Sequence, residues 1–222
     1  MSAAPDLVAE GLACRRGERL VFADLSFRLS AGGALVLAGT NGSGKTSLIR
    51  LVATLIEPAA GRLLWGDRPI ADDPAGHRAR LAYVGHLDAV KPALTPRETL
   101  RFWAALRGLQ PRRAASLIAE ALSAFALEAA ADWPCRWLSA GQRRRLALAR
   151  LIAAPAPIWL LDEPTSALDR DNQARLEAAI ATHRESGGRV LLATHLPLAI
   201  AAADRLLLDD FAAGPLPEEV GF

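Results

Sequence analysis

Lysine is almost missing from this chain: of 26 lysine and arginine residues, only Lys45 and Lys91 are lysines. Cysteine is scarce as well. Cys14 and Cys135 stand alone, with no C-x-x-C or Cys/His spacing, which excludes a zinc ribbon or a haem-attachment motif in the chain itself. No charge-free apolar run approaches the roughly 18 residues of a membrane span. The longest candidate, Leu151 to Leu161, is broken by Pro155 and Pro157. Met1 to Glu10 carry neither a basic run nor a long apolar stretch, so no signal peptide is expected and the chain reads as cytosolic. Neither sign of charge dominates: 26 basic and 24 acidic side chains leave +2, too little for a field that gathers polyanions.

What remains suits one α/β domain with a small subdomain. The 222 residues are 51% hydrophobic, enough to bury a core, although alanine inflates that figure and the mean hydropathy of +0.17. The chain shows no internal repeat and no low-complexity linker.

Gly39-Thr40-Asn41-Gly42-Ser43-Gly44-Lys45-Thr46 has the spacing G-x-x-x-x-G-K-[ST] of a phosphate-binding loop. Its context agrees. Ala34 to Ala38 is apolar throughout, as a strand buried on both faces would be, and Ser47 to Ala53 is apolar at helical spacing. A triphosphate needs many N–H donors close together. Gly39, Gly42 and Gly44 permit that approach, and the following helix adds donors and partial positive charge at its start. Lys45 is the compact charge that a planar guanidinium cannot replace in a tight loop. Thr46 offers its hydroxyl to Mg²⁺, and Ser47 closes the set of candidate nucleotide-binding residues.

Around this loop the pattern predicts strands at Leu7–Leu12 and Leu25–Leu29, joined by a loop through Arg15, Arg16 and Gly17. The helix after the phosphate loop is expected to stop at Glu57-Pro58. Two short strands flank Gly66, and another covers Leu81–Val84. Thr95-Pro96-Arg97-Glu98 opens a helix with Leu100, Trp103 and Leu106 on one face, ended by Gly108. A second helix spans Arg112–Phe125. Ser139 and Gln142 form a further capping pair, for a helix that runs to Pro155. Ile158–Leu161 and Arg189–Ala193 read as core strands, Leu176–Ile180 as helix, and Leu206–Leu208 as a last strand.

Ligands of open α/β sheets gather at the carboxyl ends of the strands. Three apolar strands here end in the phosphate loop, in Asp162-Glu163 and in His195. If they are neighbours, Asp162 holds Mg²⁺ together with Thr46, Glu163 orients or deprotonates a water, and His195 senses the γ-phosphate. Lys45, Glu163 and His195 are therefore the candidate catalytic residues. Taken singly, an Asp-Glu pair is as often a helix cap, and a lone histidine is usually structural.

This order of motifs resembles the nucleotide-binding domain of an ABC transporter over nearly the whole chain. Leu138-Ser139-Ala140-Gly141-Gln142 resembles the family's Leu-Ser-Gly-Gly-Gln signature, Ser166-Ala167-Leu168-Asp169 its D-loop, and His195 its switch histidine. The resemblance implies an α/β fold: a P-loop NTPase, RecA-like core with an antiparallel β subdomain and an inserted α-helical signature subdomain. The core would take residues 1–90 and 155–222, and the helical insert 91–154, within one domain of 222 residues. It also implies ATP and Mg²⁺ as ligands, sandwiched in a homodimer. There Ser139, Ala140, Gly141, Gln142 and Asp169 would meet the nucleotide held by the other copy. The run Arg143-Arg144-Arg145 either adds positive potential at that site or is a solvated helix face.

Two departures narrow the resemblance. His86 stands where a glutamine commonly touches the metal or water and couples to the membrane subunit. No aromatic marks the adenine site; Arg16 falls near it, either stacking by its guanidinium face or serving as a loop arginine. These features, with Cys14–Arg16, Gly85-His86 and Thr194-His195-x-Pro197-Leu198, are similar to the ATP-binding subunit of the haem exporter of c-type cytochrome maturation. That implies integral-membrane partners at the cytoplasmic face of a bacterial inner membrane. Haem would be handled by those partners and not by this chain, and no nucleic acid is involved. The alternatives are the ATPase of another exporter, for lipid, drug or lipoprotein, and a soluble ABC-type regulatory ATPase.

Overall fold

A five-stranded parallel sheet carries the site, and the computed structural model describes it within residues 4–195 and 198–212. In chain order the strands are β1 (Leu7–Arg16), β2 (Arg19–Leu29), β3 (Ala34–Ala38), β4 (Ala60–Trp65), β5 (Arg68–Pro69), β6 (Leu81–Val84), β7 (Ile158–Asp162), β8 (Arg189–Ala193) and β9 (Asp204–Leu207). The helices are α1 (Lys45–Val52), α2 (Pro74–Ala79), α3 (Pro96–Leu106), α4 (Pro111–Ala124), α5 (Ala140–Ala153) and α6 (Arg170–Glu185). The parallel sheet runs β6-β7-β8-β3-β9, and an antiparallel sheet runs β2-β1-β4-β5.

The apolar strands are buried on both faces because each face meets its own core. Leu35 and Leu37 of β3, Ile158 and Leu160 of β7, and Leu191 of β8 join α1 and the antiparallel sheet in one cluster. Their neighbours Val36, Trp159, Leu161, Val190 and Leu192 join α3, α4, α5 and α6 in the other. Period-2 alternation within continuous apolar strands thus assigns side chains to two cores, with every position of β7 and β8 buried.

The expected elements are present, with boundary corrections that have local causes. Arg15 and Arg16 belong to β1, and the turn shrinks to the residues around Gly17 because the β1–β2 ladder pairs Arg16 with Arg19. Helix α1 ends at Val52, well before Glu57-Pro58, where Thr54 turns the chain at a φ of 55°. The buried stripe of α3 is Thr99, Leu100 and Ala104, and Leu106 is 62% exposed. Arg150 lies 4.4 Å from the Trp103 ring centroid, so that ring meets a cation instead of continuing an apolar face. The last strand begins two residues early, at Asp204, and Leu208 opens a short 3-10 turn. The segment at Pro197 lies outside the described residues. Among the described residues no helix is long and apolar enough to cross a membrane.

Candidate active site

Strands β7, β8 and β3 are adjacent and parallel, so the phosphate loop, Asp162-Glu163 and His195 emerge side by side at one edge. A cleft of about 520 Å³ opens there. Lys45, Thr46, Glu163, His195 and Arg16 line it together with the loop backbone.

The loop depends on glycine at two positions for different reasons. At Gly39 (φ 142°) a Cβ would come within 2.7 Å of Ser43 Oγ and 2.9 Å of the Asp209 carboxylate. At Gly44 (φ 106°) it would meet Val21 and Phe22 of β2 at 2.8 and 2.9 Å. Gly44 also caps α1 with no side chain, and no acidic residue occupies the first turn. The donors at that helix start are thus left to an external anion. Ser43 Oγ, within the same loop, is buried and has no hydrogen-bond partner among the described residues. Lys45, only 7% exposed, donates from Nζ to the carbonyls of Gly39 (2.7 Å) and Thr40 (2.9 Å) and so closes the loop on itself. The cradle fits a phosphate chain.

Thr46 Oγ1 donates to Asp162 Oδ1 at 3.0 Å, and Asp162 is 3% exposed. Among the described residues no three His, Cys, Asp or Glu side chains cluster as metal ligands. The Thr46–Asp162 pair therefore suits a hard cation that keeps waters and phosphate oxygens as its other ligands. Glu163 sits in the left-handed region (φ 50°), its N–H bonded to the Ala193 carbonyl at 2.9 Å. Its carboxylate lies 3.3 Å from His195 Nε2 and accepts the His195 N–H at 3.3 Å. Glu163 and His195, two of the expected catalytic residues, are thus in contact.

Arg16 lines the cleft, whereas His86, the start of α5 and Asp169 do not. At the end of β1, Arg16 reaches Ser47 Oγ from Nε at 3.3 Å; it is a strand residue, not a loop arginine. His86 is exposed on the loop after β6 and does not line the cleft. Ser139, Ala140, Gly141 and Gln142 form the start of α5, away from the cleft. There the Ser139 hydroxyl accepts from Gln142 N (3.2 Å) and Gln142 Oε1 accepts from Ser139 N (2.8 Å). Asp169 caps α6, accepting from the Asn172 amide N–H at 2.9 Å and side chain at 2.7 Å. Its carboxylate is committed to the helix start.

Three features escaped sequence reasoning. Asp209 accepts from Thr40 N (2.9 Å) and Thr40 Oγ1 (2.6 Å), bonds that hold its carboxyl below the usual range. Arg19 and Val21 of β2 line the cleft opposite the loop. The Arg143–Arg145 run is neither a free positive patch nor a solvated face. Arg143 donates to the Leu138 carbonyl, Arg145 to those of Phe125 and Ala126, and Arg144 is buried. Cys14 is fully buried and burial raises its thiol pKa, so it stays protonated.

The pattern of the ABC transporter family matches residues 22–166. The cytochrome c biogenesis ATP-binding export protein CcmA of Rhodospirillum rubrum is 56% identical over 213 residues, covering 96% of this chain and 90% of its own. The protein of the same name from Paramagnetospirillum magneticum is 54% identical over 204 residues, covering 92% and 94%. That from Rhizobium meliloti is 45% identical over 208 residues, covering 92% and 98%. A solved ATP-binding subunit of an ABC transporter superposes with a TM-score of 0.79 at 26% identity, over 86% of this chain and 79% of that one. An ATP-binding protein of Pyrococcus furiosus, itself described as a putative ABC transporter, gives 0.81 at 20% identity, over 94% and 100%, a likeness of fold.

Proposed function

From the premise that this chain belongs to the ABC transporter family, and within it to the cytochrome c biogenesis ATP-binding export proteins, we propose that it is the ATP-hydrolysing subunit of a membrane complex. Its turnover drives haem export, or release of a haem-bearing chaperone, in c-type cytochrome biogenesis. The supporting observation is the convergence of Lys45, the Thr46–Asp162 pair and the Glu163–His195 pair at the ends of three adjacent strands.

Each residue has a task there. The loop N–H groups and Lys45 bind the β- and γ-phosphates, with Lys45 exchanging its two loop carbonyls for phosphate oxygens. Mg²⁺, held by Thr46 and Asp162 when bound, neutralises charge across those phosphates. Glu163 orients the attacking water and accepts its proton. His195 holds the Glu163 carboxylate and faces the γ-phosphoryl group. Arg16 lies beside the adenine.

The domain comprises residues 1–222, with 91–154 as the signature subdomain inserted between the two parts of the core. Two copies close head to tail, so that Ser139 and Gly141 of one meet the ATP held by the other. Ligand-biased closure of this kind moves a partner only through different affinities for the open and closed states. Those partners are integral-membrane subunits, and the chain sits peripherally on the cytoplasmic face of the inner membrane. Exposed His86 serves the contact with them and not the metal.

Glu163→Gln tests the chemistry. ATP binding should persist and turnover should fall on the order of 100-fold, with a dimer accumulating in the presence of ATP by size-exclusion chromatography. Wild-type turnover in that variant removes Glu163 as base. Purification from native membranes tests the pathway: recovery with lipid- or drug-transport subunits, and no cytochrome maturation components, overturns the haem assignment.

A further inference from the structure

Arg144 is 2% exposed, yet none of its donors is idle. Its Nη2 donates to the carbonyls of Asp162 (3.2 Å) and Glu163 (2.5 Å), and its Nε to that of Pro164 (3.2 Å). Its Nη1 reaches the Gly85 carbonyl (2.9 Å) and Asp88 Oδ1 (3.3 Å). Burying a guanidinium is costly unless every N–H is matched and the charge compensated, and here both conditions are met.

The matched groups are unusual. Three consecutive carbonyls converge on one planar cation, which requires the chain to turn sharply between them. Glu163, in the middle, holds a φ of 50° that residues with a side chain avoid. Such strain persists only where the surroundings over-determine it. Ser166 adds to the Glu163 carbonyl from its N and Oγ, the Glu163 N–H donates to the Ala193 carbonyl, and its carboxylate meets His195. Only Arg144 joins the three carbonyls of the turn.

We propose that Arg144 is a positioning residue for Glu163: its fork holds the 162–164 carbonyls and so fixes the strained backbone that aims the Glu163 carboxylate at the reacting water. Through Gly85 and Asp88 the same fork ties that turn to the loop bearing His86. Because Arg144 lies on α5, the base is referenced to the helix whose tip meets the other copy's nucleotide. This rests on the reading of Glu163 as the base.

A lysine keeps the charge but donates from a single point and cannot span both the 162–164 carbonyls and Gly85. In the full chain, Arg144→Lys should lower kcat by about 10- to 100-fold, the cost of a small misplacement at the reacting centre. KM and the affinity for a fluorescent ATP analogue should stay within about twofold, because the phosphate loop is untouched. Asp88→Asn, which loosens the fork from one end at a partly exposed position, should lower kcat about threefold with the same unchanged affinity. A kcat within about twofold of wild type in Arg144→Lys, or a fall matched by equal loss of nucleotide affinity, overturns the inference. Should Arg144→Lys fail to fold, Asp88→Asn decides alone, and an unchanged kcat there overturns it. Glu163→Gln run in parallel separates the two levels. An inactive Glu163→Gln beside a fully active Arg144→Lys rejects only the positioning role; an active Glu163→Gln rejects the base and the inference together.

Discussion

Two helix starts in this molecule use the same physics in opposite ways. Helix α1 opens at Gly44 with no side-chain cap, inside a cleft, beside a buried lysine. Helix α5 opens at Ser139 with both halves of a capping box made, on an exposed surface. Of the donors that any helix start leaves over, α5 has already spent those of Ser139 and Gln142. What it offers a phosphate is the Ser139 hydroxyl and the N–H groups of Ala140 and Gly141. Gly141 has a second constraint, since a Cβ there would lie 3.2 Å from the Ala167 carbonyl. The difference teaches a division of labour. On the function proposed above, the first start is a binding site within one copy of the chain, and the second, already capped by its own side chains, becomes a site only when another copy brings it a nucleotide.

Lys45→Ala breaks the first half of this contrast most strongly. Removing the one ammonium in the cleft should weaken nucleotide binding on the order of 100-fold, read by titration of a single copy at low concentration. Unchanged affinity would contradict the loop assignment.

A pH series sharpens the contrast from the side of the sheet. His183 stacks on Trp159 of β7 (centroids 3.9 Å apart, planes at 5°), and burial lowers its pKa from 6.5 to about 4. Above the unfolded value the ring is neutral in both states and stability is complete. Between that value and about 4, the unfolded chain binds a proton that the folded chain resists, so stability falls as pH falls. The loss should be about 3 kcal/mol by denaturant midpoints, and His183→Gln should flatten the profile.

Ser139→Ala acts on the second half. It should cost about 1 kcal/mol of stability and lower turnover about tenfold, with single-copy affinity for ATP unchanged. The smallest effect is the control. Thr95 caps α3 with the same box, its hydroxyl accepting from Glu98 N at 3.2 Å. Thr95→Ala should cost about 1 kcal/mol and leave turnover alone. Equal kinetics in the Ser139 and Thr95 variants would erase the distinction between a cap and a site.

Much of this was legible before the fold was known. The loop glycines, both capping boxes and the fully apolar strands carry short-range signals, because turn geometry, helix starts and two-sided burial each leave a local pattern. Failures came where the deciding neighbour is distant in sequence. Nothing in Pro96–Leu106 announces that Arg150 will lie over Trp103, so Leu106 was assigned to a face that it does not share. Arg144 looked like its neighbours, and only the placement of Asp162–Pro164 against α5 made it a buried fork. Asp209 follows Thr40 of the phosphate loop by 169 positions, and no local pattern links the two.

By itself, then, the chain determined most of the segments that become strand, loop and helix start, since those depend on neighbours a few residues away. The tertiary structure decided that the ends of β3, β7 and β8 lie side by side, and that Thr46 meets Asp162 and His195 meets Glu163. It also decided that one arginine of three is buried against the turn at 162–164. The physical reason is range: backbone preferences act over a turn of chain, whereas strand order and the matching of buried donors to acceptors exist only once distant segments are packed together.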